Sequence, residues 1–138
     1  MLSFLYTIFT REYAAALESV GLDSYMGFYH SLRPGRESLA CDLVEEGRCI
    51  VERFVLTLIN LKIIKPEDFD VQVSGAVFLN DDGRKKVLSK WQEKKRTDMI
   101  HPYLKEKIPM GLLPYVQSML LAKFVRGEID EYPCYLAR

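Results

Sequence analysis

The side chains best suited to chemistry in this sequence lie between positions 27 and 48. His30 precedes a turn at Pro34-Gly35, and Asp42 and Glu45 follow that turn in a segment with helical character. Because Asp42 and Glu45 are three positions apart, their carboxylates project from nearly the same helical face. A loop that folds back would bring His30 over that face, and an imidazole with two carboxylates suits a divalent cation.

A second interpretation of these residues stays open. Acidic residues are common in the first turns of helices, where they complement the helix dipole. A histidine beside Phe28 and Tyr29 is often a packed side chain rather than a ligand. Spacing alone does not decide between a metal site and an ordinary helix start.

The same segment resembles the signature block of a known family. Its residues 21–46 read Gly-Leu-Asp-Ser-Tyr-Met-Gly-Phe-Tyr-His-Ser-Leu-Arg-Pro-Gly-Arg-Glu-Ser-Leu-Ala-Cys-Asp-Leu-Val-Glu-Glu. This block resembles the CRISPR-associated endonuclease and integrase of spacer acquisition, the first of the universal adaptation proteins. The resemblance continues through residues 80–85 and 109–126, and it is strongest to the subtype I-C branch.

The resemblance implies a set of metal ligands. In the family a glutamate, a histidine and a later acidic residue bind a divalent ion, Mg²⁺ or Mn²⁺, within a helical C-terminal domain. His30 matches the histidine, Glu45 matches the later acidic ligand, and Asp42 falls on a neighbouring acidic position. We therefore expect His30 and Glu45 to bind the metal and all three residues to serve catalysis.

The resemblance also implies that the chain is a C-terminal piece. The family's first glutamate lies well upstream of its histidine, and the two glutamates that precede His30, Glu12 and Glu18, match no ligand of the family. The family's N-terminal β-rich domain has no counterpart here. Residues 1–138 are accordingly expected to form a single helical domain, truncated at its N-terminus relative to the family.

The expected function is that of a metal-dependent DNA endonuclease and integrase in adaptive antiviral defence, present as a fragment with poor activity alone. The implied partners are protospacer and CRISPR-repeat DNA, a second copy in a homodimer, and a small companion adaptation protein, with no membrane. The alternative is a non-enzymatic helical remnant that keeps DNA binding or dimer formation.

Two groups of cations are candidates for DNA contact. Arg33, Arg36 and Arg48 flank the predicted metal site, and guanidinium groups bind phosphates well. A second group lies on one face of a predicted helix and includes Arg84, Lys85 and Lys86. Both groups can neutralise phosphates, although a solvated protein surface has the same composition.

Composition limits the other possibilities. The 138 residues are 49% hydrophobic, enough for one compact domain. Lys plus Arg equals Asp plus Glu at 19 each, so any attraction to DNA must come from a local patch. Three cysteines without a CxxC pair favour a reducing, cytoplasmic compartment. The apolar start at residues 1–9 is too short to span a bilayer and predicts a helix that needs a partner.

Hydrophobic periodicity predicts a mainly α fold of about five helices with one small β-hairpin. The resemblance implies that this fold is the family's helical C-terminal catalytic domain. The predicted elements are a helix over 2–20, a short helix or turn over 22–31, a long helix over 38–64, a hairpin over 69–79, and helices over 84–96 and 109–126. Gly47 interrupts the long helix, either to allow a close approach or as a mere imperfection. His101 is expected to be structural or capping rather than catalytic, and the C-terminal tail irregular.

Overall fold

The computed structural model describes residues 1–22 and 38–135, and these residues form five α-helices and two small antiparallel hairpins. The elements are α1 (Leu2–Ser19), α2 (Ser38–Glu46), α3 (Arg48–Asn60), β1 (Phe69–Val71), β2 (Val77–Leu79), α4 (Asp81–Lys95), β3 (Asp98–Ile100), β4 (Lys107–Pro109) and α5 (Leu113–Val125). The mainly helical fold with five helices is confirmed, and one of the two hairpins was not expected.

Helix α1 forms the centre of the core. Its residues Leu5, Phe9, Tyr13 and Leu17 recur every four positions and are all buried, so one complete stripe of the helix faces the interior. That stripe packs against α2, α3 and α5. The helix ends at Ser19, and Gly21, two residues later, has the left-handed φ of 86° that is common after a helix C-terminus.

A cluster of aromatic rings joins α4 to α1 and α3. Trp91 on α4 is completely buried, and its ring meets Phe9 and Phe54 edge to face at centroid distances of 5.6 and 5.1 Å. The indole N–H donates to Glu12 Oε1 at 3.2 Å, and Lys95 Nζ donates to the same oxygen at 2.9 Å. Ring packing and polar contacts therefore fix α4 in one orientation on the core.

The prediction of one long helix over 38–64 is wrong, because the chain forms two helices that meet at Gly47. A Cβ atom at Gly47 would lie only 2.8 Å from Phe9 Cε2. The glycine thus allows the junction between α2 and α3 to approach the core ring closely. Of the two interpretations of Gly47, close approach agrees with the structure.

The predicted hairpin is present and leads directly into α4. Strands β1 and β2 pair with Phe69 opposite Leu79, and Asn80 then accepts a hydrogen bond from the Gly83 amide at 2.8 Å as the helix cap. Because the cap is Asn80 itself, α4 begins at Asp81, three residues earlier than predicted. The Asp68 carboxylate accepts from the Lys65 amide at 2.9 Å in the turn before β1, and the Asp68 carbonyl accepts from the Asn80 amide at 2.9 Å across the ends of the hairpin.

Strands β3 and β4 form the second hairpin, in which Met99 lies opposite Ile108. Each strand has three residues, too few to give a readable alternation in the sequence. Helix α5 follows after a 3₁₀ turn, with Pro114 in its first turn, where a proline is tolerated. Within the described ranges, no helix has the length and apolar character that crossing a membrane requires.

Candidate metal and nucleic-acid site

Helix α2 carries the two predicted acidic site residues at different depths. Asp42 is only 2% exposed, and its side chain takes part in a polar or electrostatic interaction. The side chain of Glu45 is 54% exposed, and its Oε2 lies 3.5 Å from Arg48 Nη1. The two carboxylates therefore lie at the boundary between the core and the solvent, and only Glu45 is openly accessible.

Three of the predicted site residues lie in the segment between α1 and α2. His30, Arg33 and Arg36 lie outside the described residues. Within residues 1–22 and 38–135, no three His, Cys, Asp or Glu side chains come together as a metal-binding group. The donor chemistry of Asp42 and Glu45 suits a hard divalent cation, and the two residues supply only part of the oxygen ligands that such an ion needs.

Arg48 is the one arginine of the predicted site within the described residues. Its Nε donates to Glu52 Oε1 at 3.1 Å, and its guanidinium carbon lies 5.8 Å from the centroid of the Tyr6 ring. Together with the weak contact to Glu45, these interactions hold the guanidinium on the α2–α3 surface. The group is more than half exposed, so a phosphate can reach it without displacing the core.

A buried polar network adjoins the site through Glu46, which the sequence analysis did not single out. Tyr132 Oη donates to both oxygens of Glu46, at 2.9 and 3.0 Å, and the Tyr135 amide donates to Glu46 Oε1 at 2.7 Å. Gln117 Nε2 donates to Tyr132 Oη at 2.8 Å and to Glu46 at 3.4 Å. The network joins α2, α5 and the C-terminal tail around one carboxylate.

Burial sets the electrostatics of this network. It raises the pKa of Glu46, although the hydrogen bonds from Tyr135, Tyr132 and Gln117 act in the opposite direction. The pKa of Tyr132 is also raised, by burial first and then by the charge of Glu46. The Tyr132 hydroxyl therefore keeps its proton and remains the donor to the carboxylate.

His101 extends the network on the far side of Gln117. Its Nδ1 accepts from the amides of Tyr103 and Leu104, both at 3.2 Å. The proton must then reside on Nε2, which lies 2.5 Å from Gln117 Oε1 and donates to it. These bonds and its burial agree with the structural role expected for His101.

The basic face of α4 is partly neutralised. Arg84 pairs with Asp81 at 2.6 Å, and Lys86 pairs with the buried Asp68 at 3.0 Å. Lys85 is exposed, and in the part of the chain that the structure describes it has no ion-pair partner. Among these three predicted DNA contacts, Lys85 is the cation most available to a phosphate.

Comparison with known proteins identifies the family. The family model for "CRISPR associated protein Cas1" matches residues 1–93, and this range includes α2 and the whole signature block. The protein named "CRISPR-associated endonuclease Cas1 2" of Rhodospirillum rubrum is 51% identical over 134 residues, which are 96% of this chain and 39% of that protein. The chain belongs to the Cas1 family.

Other Cas1 relatives give the same assignment. A CRISPR-associated endonuclease Cas1 of Leptospira interrogans is 44% identical over 132 residues, which are 96% of this chain and 52% of the relative. Across the first three curated relatives, the chain spans between 39 and 52% of their length.

Solved structures confirm the fold. A Cas1 protein from Thermotoga maritima superposes with a TM-score of 0.81 at 24% identity, and the match covers 92% of this chain and 39% of that protein. A casposase bound to an integration product gives a TM-score of 0.89 at 24% identity, and the match covers 98% of this chain and 37% of the casposase.

In this Cas1 chain the amino-acid sequence does not identify Glu46 as a partly buried polar residue. Glu45 and Glu46 are adjacent, and their types do not show which one faces the interior. One signal was available, since Glu46 lies three and four residues after the buried positions Leu43 and Asp42, on the same side of α2. Its partners lie 71 to 89 positions away, beyond the reach of a local pattern.

Proposed function

We propose that this chain is the helical C-terminal part of a Cas1 protein of the subtype I-C branch, and that the whole protein is a metal-dependent DNA endonuclease and integrase of spacer acquisition. The observation that carries the proposal is 51% identity across 96% of the chain to a protein named as a CRISPR-associated endonuclease. The chain spans only 39% of that relative, so the activity proposed is that of the whole protein.

The proposed metal ligands are His30 and Glu45, with Asp42 beside them. Glu45 supports this assignment because its carboxylate is accessible and its contact with Arg48 is long for an ion pair. A bound Mg²⁺ or Mn²⁺ supplies Lewis-acid polarisation of the scissile phosphate and stabilises the leaving oxygen. The residues of this chain bind and orient, while Arg48 and Lys85 offer positive charge to the DNA backbone.

The proposed partners follow from the family. They are protospacer and CRISPR-repeat DNA, a second Cas1 chain, and a small companion adaptation protein. Support comes from a structural neighbour described as a partial Cas6-RT-Cas1–Cas2 complex, with a TM-score of 0.77, and from the casposase bound to its integration product. We place the protein in the cytoplasm, where its three cysteines, free thiols in the structure, stay reduced.

The chain alone should be catalytically poor. A divalent ion needs several oxygen ligands, and the family's upstream glutamate has no match among residues 1–29. Glu12 cannot serve, because its carboxylate binds Trp91 and Lys95. This commitment of Glu12 also favours the second candidate function, a helical remnant that binds DNA or dimerises without catalysis.

A nicking and strand-joining assay with titrated Mn²⁺ and Mg²⁺ tests the proposal. The purified chain should show little activity, and fusion to the upstream portion of the Rhodospirillum rubrum relative should restore it. In the fusion, Glu45→Ala and His30→Ala should abolish activity, whereas Asp82→Ala, an exposed carboxylate on α4, should not.

Two results would contradict parts of this proposal. Robust nicking by residues 1–138 that disappears in Glu45→Ala would show that the upstream glutamate is not needed. An inactive fusion that still binds DNA would favour the non-catalytic remnant.

A further inference from the structure

The C-terminal residues Tyr132–Tyr135, here called the strap, lie in no helix or strand and yet are tightly held. Three of their groups bond to the network: the Tyr132 hydroxyl and the Tyr135 amide donate to Glu46, and the Pro133 carbonyl accepts from Gln117 Nε2 at 3.3 Å. The Tyr135 ring is buried in the same core as α1 and α2. The strap is therefore attached to the last residue of α2 rather than lying loosely over the surface.

Helix α2 is short and is separated from α3 by a glycine, so an additional attachment helps to fix its orientation. It has nine residues, and it stops at Glu46, where Gly47 separates it from α3. Its apolar contacts with the core are made by Leu39, Ala40, Leu43 and Val44. Apolar contacts are not directional, so they hold a helix against a surface without fixing its rotation about its own axis.

Hydrogen bonds to Glu46 are directional and oppose rotation of α2. Both carboxylate oxygens accept bonds from fixed donors, and Gln117 is itself held by His101. A rotation of α2 by about 10° would move a carboxylate about 6 Å from the helix axis by about 1 Å. Glu45 is the residue before Glu46, so any such rotation changes where the Glu45 carboxylate points.

We propose that Glu46 and Tyr132 are positioning residues, and that the strap holds α2 in the rotation that presents Glu45 to a divalent cation. The inference rests on the proposed metal role of Glu45 and goes beyond it. Neither residue binds the metal. Burying a carboxylate here costs stability that an apolar side chain would not, and a polar network offers in exchange a single defined arrangement.

The test is manganese binding by the intact chain, followed in ¹H–¹⁵N correlation spectra through the paramagnetic broadening of the α2 amides. Tyr132→Phe removes the donor hydroxyl and keeps the ring. It should raise the Mn²⁺ concentration for half-maximal broadening by about 2- to 30-fold. Glu46→Gln keeps the size of the side chain and one acceptor, and it should act in the same direction. The control is Tyr115→Phe on exposed α5 surface, which should leave the titration unchanged.

The possible outcomes distinguish the positioning role of Glu46 and Tyr132 from the metal role of Glu45. If the wild-type chain broadens at α2 but Tyr132→Phe and Glu46→Gln titrate like wild type, while the Tyr135 amide signal moves, the strap is only structural and the positioning role is refuted. If wild type shows no broadening localised to α2, or Glu45→Ala leaves it intact, the proposed metal role itself fails and the positioning role falls with it. The spectra of both variants report whether they fold, so a lost fold is not mistaken for lost binding.

Discussion

Gly47→Ala is a purely steric perturbation at the junction beside the candidate site. The backbone at Gly47 has φ of −100° and ψ of 11°, which alanine can adopt, so the substitution introduces no backbone strain. The new Cβ would lie 2.8 Å from Phe9 Cε2 and 3.1 Å from Cζ. The ring would have to retreat by about 0.6 Å to reach an ordinary contact of 3.4 Å.

The surroundings of Phe9 oppose that movement. Its ring is fully buried and meets Tyr13 at 5.0 Å and Trp91 at 5.6 Å between centroids. Overpacking of this kind costs about 1–3 kcal/mol. Alanine also reduces the entropy of the unfolded chain, which offsets about 0.4–1 kcal/mol. We expect Gly47→Ala to lower the free energy of unfolding by roughly 0.5–2 kcal/mol.

Urea denaturation followed by far-UV circular dichroism measures this loss. With an m-value of about 1.5 kcal/mol/M, the midpoint should fall by about 0.3–1.3 M. Phe9→Leu removes the two ring atoms that the new Cβ meets, so it provides the matched background. In that background Gly47→Ala should be neutral or stabilising, giving a coupling free energy of about 1–2 kcal/mol. Equal effects in both backgrounds, or stabilisation of the wild type by Gly47→Ala, would refute the steric argument.

Three further predictions concern the hairpin, the aromatic cluster and DNA. Hydrogen bonds from the Lys65 amide, and to a smaller extent from the Lys86 side chain, lower the pKa of Asp68 from its ordinary value of 3.8. The ionised carboxylate therefore stabilises the fold above pH 3.8, and this contribution is lost as the pH falls through the lowered pKa. Asp68→Asn should therefore lower the urea midpoint at pH 7, and the difference from wild type should shrink below pH 3.8; a constant difference would contradict this. Trp91→Phe should cost roughly 1–3 kcal/mol in urea denaturation, because a buried ring shrinks and the N–H bond to Glu12 is lost. Lys85→Ala should weaken DNA binding and reduce its salt slope by about 1, whereas Lys86→Ala, already paired with Asp68, should change the slope less; equal slopes would count against the difference.

Local patterns in the sequence were sufficient for most of the helices. The helix predicted over 2–20 agrees with α1, whose buried residues Leu5, Phe9, Tyr13 and Leu17 recur every four positions. Such features succeed because their physical cause lies within one or two turns of chain. The prediction of a helix over 109–126 holds for the same reason, apart from its first residues, where a strand end and a 3₁₀ turn precede α5.

The errors arose where the cause is not local. Gly47 costs a helix only about 1 kcal/mol, so the sequence alone allows a continuous helix through it. The break follows the fit of the junction against the Phe9 ring, which lies 38 positions away. The second hairpin was missed because only Met99 and Ile108 carry its packing.

At the candidate site, too, the sequence predicted local features but not contacts between distant residues. The types and spacing of Asp42 and Glu45 placed both on α2, as the structure has them, but spacing did not reveal that Asp42 is buried. Whether His30 approaches them stays a prediction, since it lies outside the described residues. The buried network around Glu46 depends on residues near the C-terminus, which the spacing of Glu46 from Leu43 within α2 does not reveal.

The contacts that orient α2 determine how the chain would lose or regain activity. Among the described residues, the contacts that orient α2 include the core stripe of α1, the Gln117 side chain and the strap. None of these contacts requires a segment upstream of residue 1. The proposed ligand Glu45 is thus held by the chain itself, and the proposed deficiency is one missing ligand rather than a misfolded site. Supplying the upstream portion should then restore activity without rearranging α2, and the α2 amide signals of the fusion should match those of the isolated chain. A large shift of those signals on fusion would show that the upstream portion also shapes the site.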